Sequence, residues 1–185
     1  MIYIYKNLSK LKLDTYFKLL SNLPKELQEK ANEKKTQTDK NIFVFEYHKL
    51  KQLLKVDLNA IKYSKRGKPY FEDNERHFSI SHSNNLLCIA IEDKNVGVDI
   101  ERIMQFDELI ARQICNDKEY LKIVTAKNKN LEFTKLWVKK ESLIKCKAEG
   151  FNQDLKTIFE RNPTYKFKFF TIKDYVICKC VKCWF

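Results

Sequence analysis

The stretch His77–Arg102, HFSISHSNNLLCIAIEDKNVGVDIER, decides how the fold is interpreted. Apolar residues recur at every second position on both sides of its polar centre, which predicts two β-strands and their approaches. In the second strand, VGVDIER at 96–102, the apolar residues alternate with Asp99 and Glu101. Because successive side chains of a strand point to opposite faces, both carboxylates are expected on one face.

Two acids on one strand face are candidate metal ligands. Side chains two residues apart on a strand start roughly 6.5 to 7 Å apart at their Cα atoms. At that separation, Asp99 and Glu101 can share one hard divalent cation, such as magnesium, through oxygen. A solvated strand face is the alternative interpretation, and it stays open from this stretch alone.

Length and composition predict a folded domain. The chain has 185 residues, of which 44% are hydrophobic, enough for one sizeable core or two small fused halves. The aromatic fraction of 13% supplies bulky core material and excludes a disordered chain despite the high charge.

The net charge of +12 indicates an anionic partner. Nucleic acid, phosphorylated cofactors and acidic proteins all fit, so a basic nucleic-acid-binding domain is one alternative function. Arginine is scarce, which disfavours bidentate base readout, and no signature of a known RNA-binding module is present. The arginines are Arg66, Arg76, Arg102, Arg112 and Arg161.

The cysteines and the apolar segments predict a cytoplasmic protein outside the membrane. Six cysteines in a lysine-rich chain without an apolar signal segment fit a reducing compartment. Cys178, Cys180 and Cys183 resemble half a zinc site, but no second pair follows them and their segment alternates like a strand. No run reaches the 18 or so apolar residues of a membrane helix.

Two further stretches carry candidate anion contacts. IKYSKRGKPYF at 61–71 places Gly67 and Pro69 on either side of Lys68, which predicts an extended, turning loop able to approach a ligand. In FSISHS at 78–83, hydroxyls, the His82 imidazole and backbone N–H groups meet at a strand end and suit a phosphate. Plain turns are the alternative in both places.

Helical patterns flank these strands. Leu8–Leu20 is predicted to be helical with Leu13, Phe17 and Leu20 on its apolar face. Ile103–Ile123 suggests an amphipathic helix broken at Asn116-Asp117. The segment up to Ile114 is a candidate docking surface through Phe106, Leu109 and Ile110, or else core. Residues 163–185 are predicted to form one or two strands that complete a small sheet.

The second informative stretch is a helix at Leu131–Lys147, LEFTKLWVKKESLIKCK, which lacks Gly and Pro. It places Trp137, Glu141 and Lys145 on successive turns of one side. An exposed Glu–Lys pair at this spacing is usually surface decoration, which is the alternative to a catalytic role.

Four motifs together resemble the Sfp-type 4′-phosphopantetheinyl transferases. They are GKPY at 67–70, FSISHS at 78–83, GVDIER at 97–102 and WVKKESLIK at 137–145. The resemblance covers roughly residues 66–151 and is specific because four motifs agree in order and spacing. It implies transfer of phosphopantetheine from coenzyme A to a serine of an acidic carrier protein.

The resemblance also implies site residues. Positions matching the magnesium ligands of the family are Asp99, Glu101 and Glu141. Glu141 would also serve as general base, and Lys145 would stabilise or protonate the leaving phosphate. Positions matching coenzyme A contacts are Lys40, Gly67, Lys68, Pro69, Ser81, His82 and Lys145.

The implied fold is α+β, with two similar α/β halves packed as an intramolecular pseudo-dimer. Residues 1–94 would form the N-terminal half with nucleotide contacts, and residues 95–185 the half with the metal site and the catalytic helix. A monomer is expected, because the acidic strand lies mid-chain. Ala148 stands where the family usually has the first glycine of a turn that here continues to Gly150. An inactive carrier-binding homologue is a further alternative, although it should have lost an acid or Lys145.

Overall fold

Helices and strands mix along the chain in the computed structural model, which describes residues 1–148, 154–160 and 164–183. The strands are β1 (Ile2–Tyr5), β2 (Ile61–Tyr63), β3 (Pro69–Phe71), β4 (His77–Ser83), β5 (Leu86–Glu92), β6 (Val96–Arg102), β7 (Tyr165–Ile172) and β8 (Tyr175–Lys182). The helices are α1 (Leu13–Ser21), α2 (Lys25–Asn32), α3 (Gln37–Leu54), α4 (Glu108–Ile114), α5 (Asp117–Val124) and α6 (Lys129–Lys147). This mixed content is consistent with the expected α+β class.

Two antiparallel three-stranded sheets form the centre of the fold. Their orders are β1-β5-β4 and β6-β8-β7, so in each the first strand along the chain pairs with the third, and the third with the second. β2 and β3 form a separate hairpin. The helices α1 to α3 accompany the first sheet, and α6 packs on β6 and β8 of the second.

The stretch 77–102 contains three strands, where the sequence pattern predicted two. The missed strand is β5, whose sequence LLCIAIE is continuously apolar and shows no period of two. Both of its faces are buried: Leu87, Ile89 and Ile91 pack toward the N-terminal helices. Leu86, Cys88 and Ala90 pack against β6 instead. A strand covered on both sides does not need polar residues at alternate positions.

The apolar face predicted for the first helix is wrong. Leu13 and Phe17 of α1 are each 59% exposed, whereas Tyr16 and Leu19 are buried. Helix α1 packs on α3 along the Tyr16 face, so tertiary contact rather than the loose apolar spacing sets its rotation. The helix itself begins later than predicted, after a 3₁₀ turn at Leu8–Lys10.

The predicted helix around Glu141 is confirmed and is anchored against β6 by a glycine. A Cβ atom added to Gly97 would lie 1.9 Å from the Ser142 carbonyl oxygen and 2.4 Å from the Cys146 nitrogen. Only glycine therefore lets α6 approach the strand this closely. The helix ends at Ala148 with φ 57°, a left-handed conformation that explains the usual glycine at this position. Gly150 lies outside the described residues.

The cysteine segment is a strand, as its alternation predicted. Cys178 and Cys180 are buried in β8, and all six cysteines are free. Over residues 1–148, 154–160 and 164–183, no group of three His, Cys, Asp or Glu side chains is arranged to enclose a metal ion. No helix in those same ranges is long and apolar enough to cross a membrane.

Candidate active site

The carboxylates predicted from the alternation lie together between β6 and α6. Asp99 and Glu101 share the face of β6 that also carries Gly97, and Glu141 and Lys145 approach that face from α6. Lys145 Nζ donates to Asp99 Oδ1 at 2.7 Å. Asp99 is only 3% exposed, whereas the Lys145 side chain is 30% exposed, so the ion pair is buried at its carboxylate end and open to solvent at its ammonium end. The structure thus brings together residues that are 46 positions apart in sequence.

Crowding of negative charge changes the titration of this site. Burial, together with repulsion from Asp99 and then Glu101, raises the pKa of Glu141 to about 7. Burial also raises the pKa of Glu101, and the nearby Asp99 adds to the effect. The Lys145 ammonium opposes both shifts but is a single positive charge facing three carboxyl groups. The site is therefore short of positive charge.

One oxygen in the site is buried without a partner. Asp99 Oδ2 has no hydrogen bond within the described part of the chain, while Oδ1 accepts from both Ser81 and Lys145. An orphaned buried carboxylate oxygen is costly unless a cation or donor reaches it. Three carboxylates, one of which has an oxygen without a partner, offer the hard oxygen ligands that magnesium prefers. Soft metals prefer thiolate ligands instead. The residues present therefore fit a magnesium ion, although they do not enclose one as they stand.

Ser81 and Lys68 make hydrogen bonds within the protein, and Lys68 lines the first cavity together with Gly67 and Pro69. The Ser81 hydroxyl donates to Asp99 Oδ1 at 2.8 Å and accepts from Ile100 N and Lys145 Nζ. One proton and two lone pairs are then fully used, which leaves the hydroxyl no capacity for a phosphate. The Lys68 ammonium donates to Val96 O at 2.8 Å and Lys145 O at 2.7 Å. Burial lowers the pKa of Lys68 to about 8.

Two adjoining cavities open beside these residues. The first, of about 290 Å³, is bounded by the Gly67–Pro69 loop, β4 and the Glu141 side of α6. The second, of about 560 Å³, lies between the same loop, His82 and the start of α3. Gly67, Pro69 and Ile80 line both cavities, so one extended ligand can follow the loop from one to the other. Gly67 has φ +81°, a turn conformation that favours glycine.

The lysines that line the second cavity differ from Lys40, the lysine predicted from the sequence. Lys34 and Lys35 line it, whereas Lys40 does not. Lys40 lies within the first turn of α3, after the Thr36 cap, so the lysine pair just before the helix faces the cavity instead. His82 also lines the cavity, and desolvation followed by the positive Lys145 lowers its pKa, so the ring is neutral near pH 7.

Comparison with known proteins agrees with this site. Residues 95–180, which include Asp99, Glu101, Glu141 and Lys145, match the family model of the 4′-phosphopantetheinyl transferase superfamily. The resemblance noted from the four sequence motifs is thereby confirmed.

Three curated relatives carry the same family name. The chain is 40% identical over 103 residues to the 4′-phosphopantetheinyl transferase gsp of Aneurinibacillus migulanus, covering 54% of this chain and 43% of the relative. It is 33% identical over 106 residues to the 4′-phosphopantetheinyl transferase Sfp of Bacillus subtilis, covering 54% and 47%. It is 33% identical over 87 residues to psf-1 of Bacillus pumilus, covering 46% and 37%. The matched stretch thus spans less than half the length of each relative.

Several residues of this candidate site were not found from the sequence. Lys34 and Lys35 belong to a highly charged segment without a distinguishing pattern. Glu46, Tyr47 and Tyr63 also line the second cavity, and burial raises the pKa of Glu46 to about 8. A third cavity of about 470 Å³, between α5, α6 and β7, contains none of the predicted site residues.

We expect Glu141→Gln to stabilise the metal-free protein in a pH-dependent way. The folded-state pKa of about 7 lies above the ordinary value of 4.5, so the folded state binds more protons between these values. Its free energy of unfolding therefore falls as pH rises from about 4.5 to about 7. Removing the charge should raise stability at pH 8 by on the order of 1 to 2 kcal/mol, discounted for a half-buried group, and change little at pH 4.5.

Urea unfolding in EDTA at both pH values measures this difference. The exposed Glu29→Gln on α2 is the control and should show no such dependence. Equal effects of Glu141→Gln on the free energy of unfolding at pH 4.5 and pH 8 would show that the pKa of Glu141 is not raised in the folded protein.

Proposed function

We propose that this protein transfers 4′-phosphopantetheine from coenzyme A to a serine hydroxyl of a carrier protein, with magnesium. The observation that carries the proposal is the meeting of Asp99, Glu101, Glu141 and Lys145 beside a cavity lined by the Gly67–Pro69 loop. By the motif resemblance these positions correspond to the acids and the lysine of the family, and they lie within the matched residues 95–180. The names of the relatives support the same activity.

Each residue has a role that its surroundings suit. Asp99, Glu101 and Glu141 would hold magnesium, which neutralises charge on the coenzyme A pyrophosphate when bound. Glu141 would also accept the proton of the attacking serine, because it lies beside the first cavity and its carboxylate form is favoured once a cation offsets the neighbouring acids. Lys145 is positioned on the same side of α6 to donate to the departing phosphate.

The two cavities would hold coenzyme A. The second cavity offers Lys34, Lys35 and the neutral His82 for phosphate groups, together with aromatic side chains for the base. The first cavity leads from the shared Pro69 to Glu141, where the reacting phosphate would lie. Lys68 would act from within the protein, because its ammonium is committed to the carbonyls of Val96 and Lys145.

The same proposal includes the intramolecular pseudo-dimer. Residues 1–94 contain β1-β5-β4 and residues 95–185 contain β6-β8-β7, and the identical strand order supports two halves of common design. The chemistry lies where they meet, since Ser81 of one half bonds to Asp99 of the other. A monomer acting in the reducing cytoplasm fits a site built within one chain and six free cysteines.

The alternative of an inactive carrier-binding homologue predicts a lost acid or lysine. All three acids and Lys145 are present, and the orphaned Asp99 oxygen indicates a functional rather than a vestigial site. Incubating the protein with coenzyme A, magnesium and a panel of apo carrier proteins distinguishes the two. A carrier mass increased by one phosphopantetheine supports transfer, and binding without any mass change supports the inactive homologue.

We expect Leu109→Asp to raise the KM for carrier protein and spare the KM for coenzyme A. Leu109 and Ile110 on α4 are 76% and 42% exposed, while Ala111 and Ile114 face the core, so α4 presents an apolar edge just after β6. An apolar anchor on a chain of net charge +12 suits an acidic carrier. A loss of about tenfold in carrier kcat/KM is expected, by analogy with interface anchors worth more than 1 kcal/mol.

Steady-state kinetics with each substrate varied measures this effect. Leu13→Asp, at a leucine of α1 that is also exposed, is the control and should leave both KM values unchanged. Raising salt should separately slow association, as the Debye length falls from ~10 Å at 0.1 M to ~3 Å at 1 M. An unchanged carrier KM in Leu109→Asp would remove α4 from the docking surface.

A further inference from the structure

Three serine side chains on β4 accept hydrogen bonds from the edge of β6 that does not pair with β8. They stand where the carbonyl groups of a neighbouring strand would otherwise accept these bonds. The N–H groups of Val98, Ile100 and Arg102 donate to the hydroxyl oxygens of Ser79, Ser81 and Ser83 at 3.0, 3.3 and 3.3 Å. Each pair is separated by 19 residues, so the two strands run in parallel register. Because β6 pairs within its sheet only with β8, these N–H groups would otherwise lack partners.

Two of the three serines make a second bond to a carboxylate. Ser81 Oγ donates to Asp99 Oδ1 at 2.8 Å, and Ser83 Oγ donates to Glu101 Oε2 at 3.0 Å. Ser79 stands opposite Gly97, which has no side chain to receive such a bond. The backbone hydrogen bond is therefore the same at all three serines. Only Ser81 and Ser83 also donate to a carboxylate.

The backbone bond determines where each hydroxyl points. A serine hydroxyl has one proton, and accepting from the β6 N–H leaves that proton to the neighbouring carboxylate. At Asp99 the bond takes Oδ1, where Lys145 also donates, and leaves Oδ2 buried and open. The Asp99 oxygen that Ser81 does not bind is therefore the one that still lacks a donor or a cation.

We propose that Ser81 and Ser83 are positioning residues that orient the Asp99 and Glu101 carboxylates toward a divalent cation. The N-terminal half thus supports a metal site whose acidic residues all lie in the C-terminal half. This inference rests on the proposed function only for the choice of cation. Hydrogen-bonded supports of metal ligands typically change metal affinity by about 10- to 100-fold when removed.

Binding of Mn²⁺, measured by the loss of its free EPR signal with and without coenzyme A, tests the inference without any transfer reaction. Ser81→Ala and Ser83→Ala should each weaken Mn²⁺ binding by about tenfold or more. Ser79→Ala is the matched control: it loses the same backbone bond but no carboxylate bond, and should stay within about twofold of wild type. Ser83→Thr keeps the hydroxyl and should retain wild-type affinity.

The outcomes separate this inference from the proposed function. Equal Mn²⁺ affinities in the three alanine variants, or no Mn²⁺ binding by the wild type, would overturn the positioning role even if the protein transfers phosphopantetheine. Weaker binding confined to Ser81→Ala and Ser83→Ala would support it even if no carrier is modified. If Ser81→Ala fails to fold, by circular dichroism, the comparison of Ser83→Ala, Ser83→Thr and Ser79→Ala decides the result.

Discussion

Asp99→Ala is expected to reduce transfer at least about a hundredfold while the protein remains folded. Asp99 is the most buried of the three acids and carries the open oxygen Oδ2, so its loss removes the ligand that is best placed for magnesium. Asp99→Asn is the companion variant, because it keeps the shape of the side chain and removes its charge. Both should lose activity to a similar extent if charge is what matters.

The control for Asp99 is a carboxylate that the site does not use. Asp93 is 90% exposed in its side chain and makes only a long ion pair with Arg76, so Asp93→Ala should keep full activity. Initial rates at saturating coenzyme A, with circular dichroism to check folding, measure the effect. Activity of Asp99→Asn close to that of wild type would place the essential charge elsewhere.

Lys145→Met is expected to lower kcat by about 10² to 10³ and change the KM for coenzyme A much less. The Lys145 ammonium lies 2.7 Å from Asp99 and 2.9 Å from Ser81, beside the cavity where the leaving phosphate would form. A cation that acts mainly on developing negative charge contributes more in the transition state than in the ground state.

Lys135→Met, on the same helix, is the matched control. Lys135 pairs with Glu132 near the opposite end of α6 and does not contact the carboxylates, so its removal should leave kcat and KM unchanged. Varying coenzyme A at saturating carrier separates the two parameters. A raised KM with unchanged kcat in Lys145→Met would assign Lys145 to ground-state binding instead.

Much of the site could be predicted because its residues follow strong local periods. The alternation of VGVDIER placed Asp99 and Glu101 on one face, and the structure has them there. The Gly- and Pro-free stretch at 131–147 predicted a helix, which the structure extends to Lys129. Periodicity works at these positions because each element has one buried and one polar side.

Other features depend on contacts that no local pattern reveals. Strand β5 is buried on both faces and so lacks the alternation that identifies a strand. Gly97 is required by the approach of Ser142, 45 positions later in the chain, and its role cannot be predicted without knowing that α6 lies there. The alternation of Ser79 and Ser81 on one face was visible, but their bonds to β6 depend on the register between two sheets.

The lysines at the second cavity show a further limit. Lys34, Lys35 and Lys40 lie in one charged segment, and composition alone does not distinguish them. The start of α3, capped by Thr36, determines which of them face the cavity.

The central claim is that the carboxylates around Asp99 support magnesium-dependent transfer. The most direct measurement follows carrier modification and adenosine 3′,5′-bisphosphate release together, first in EDTA and then after magnesium is added to the same sample. We expect neither product in EDTA and equal amounts of both once magnesium is present. Carrier modification that proceeds at the same rate in EDTA, or a carrier that stays unmodified across the panel with magnesium present, would contradict the account.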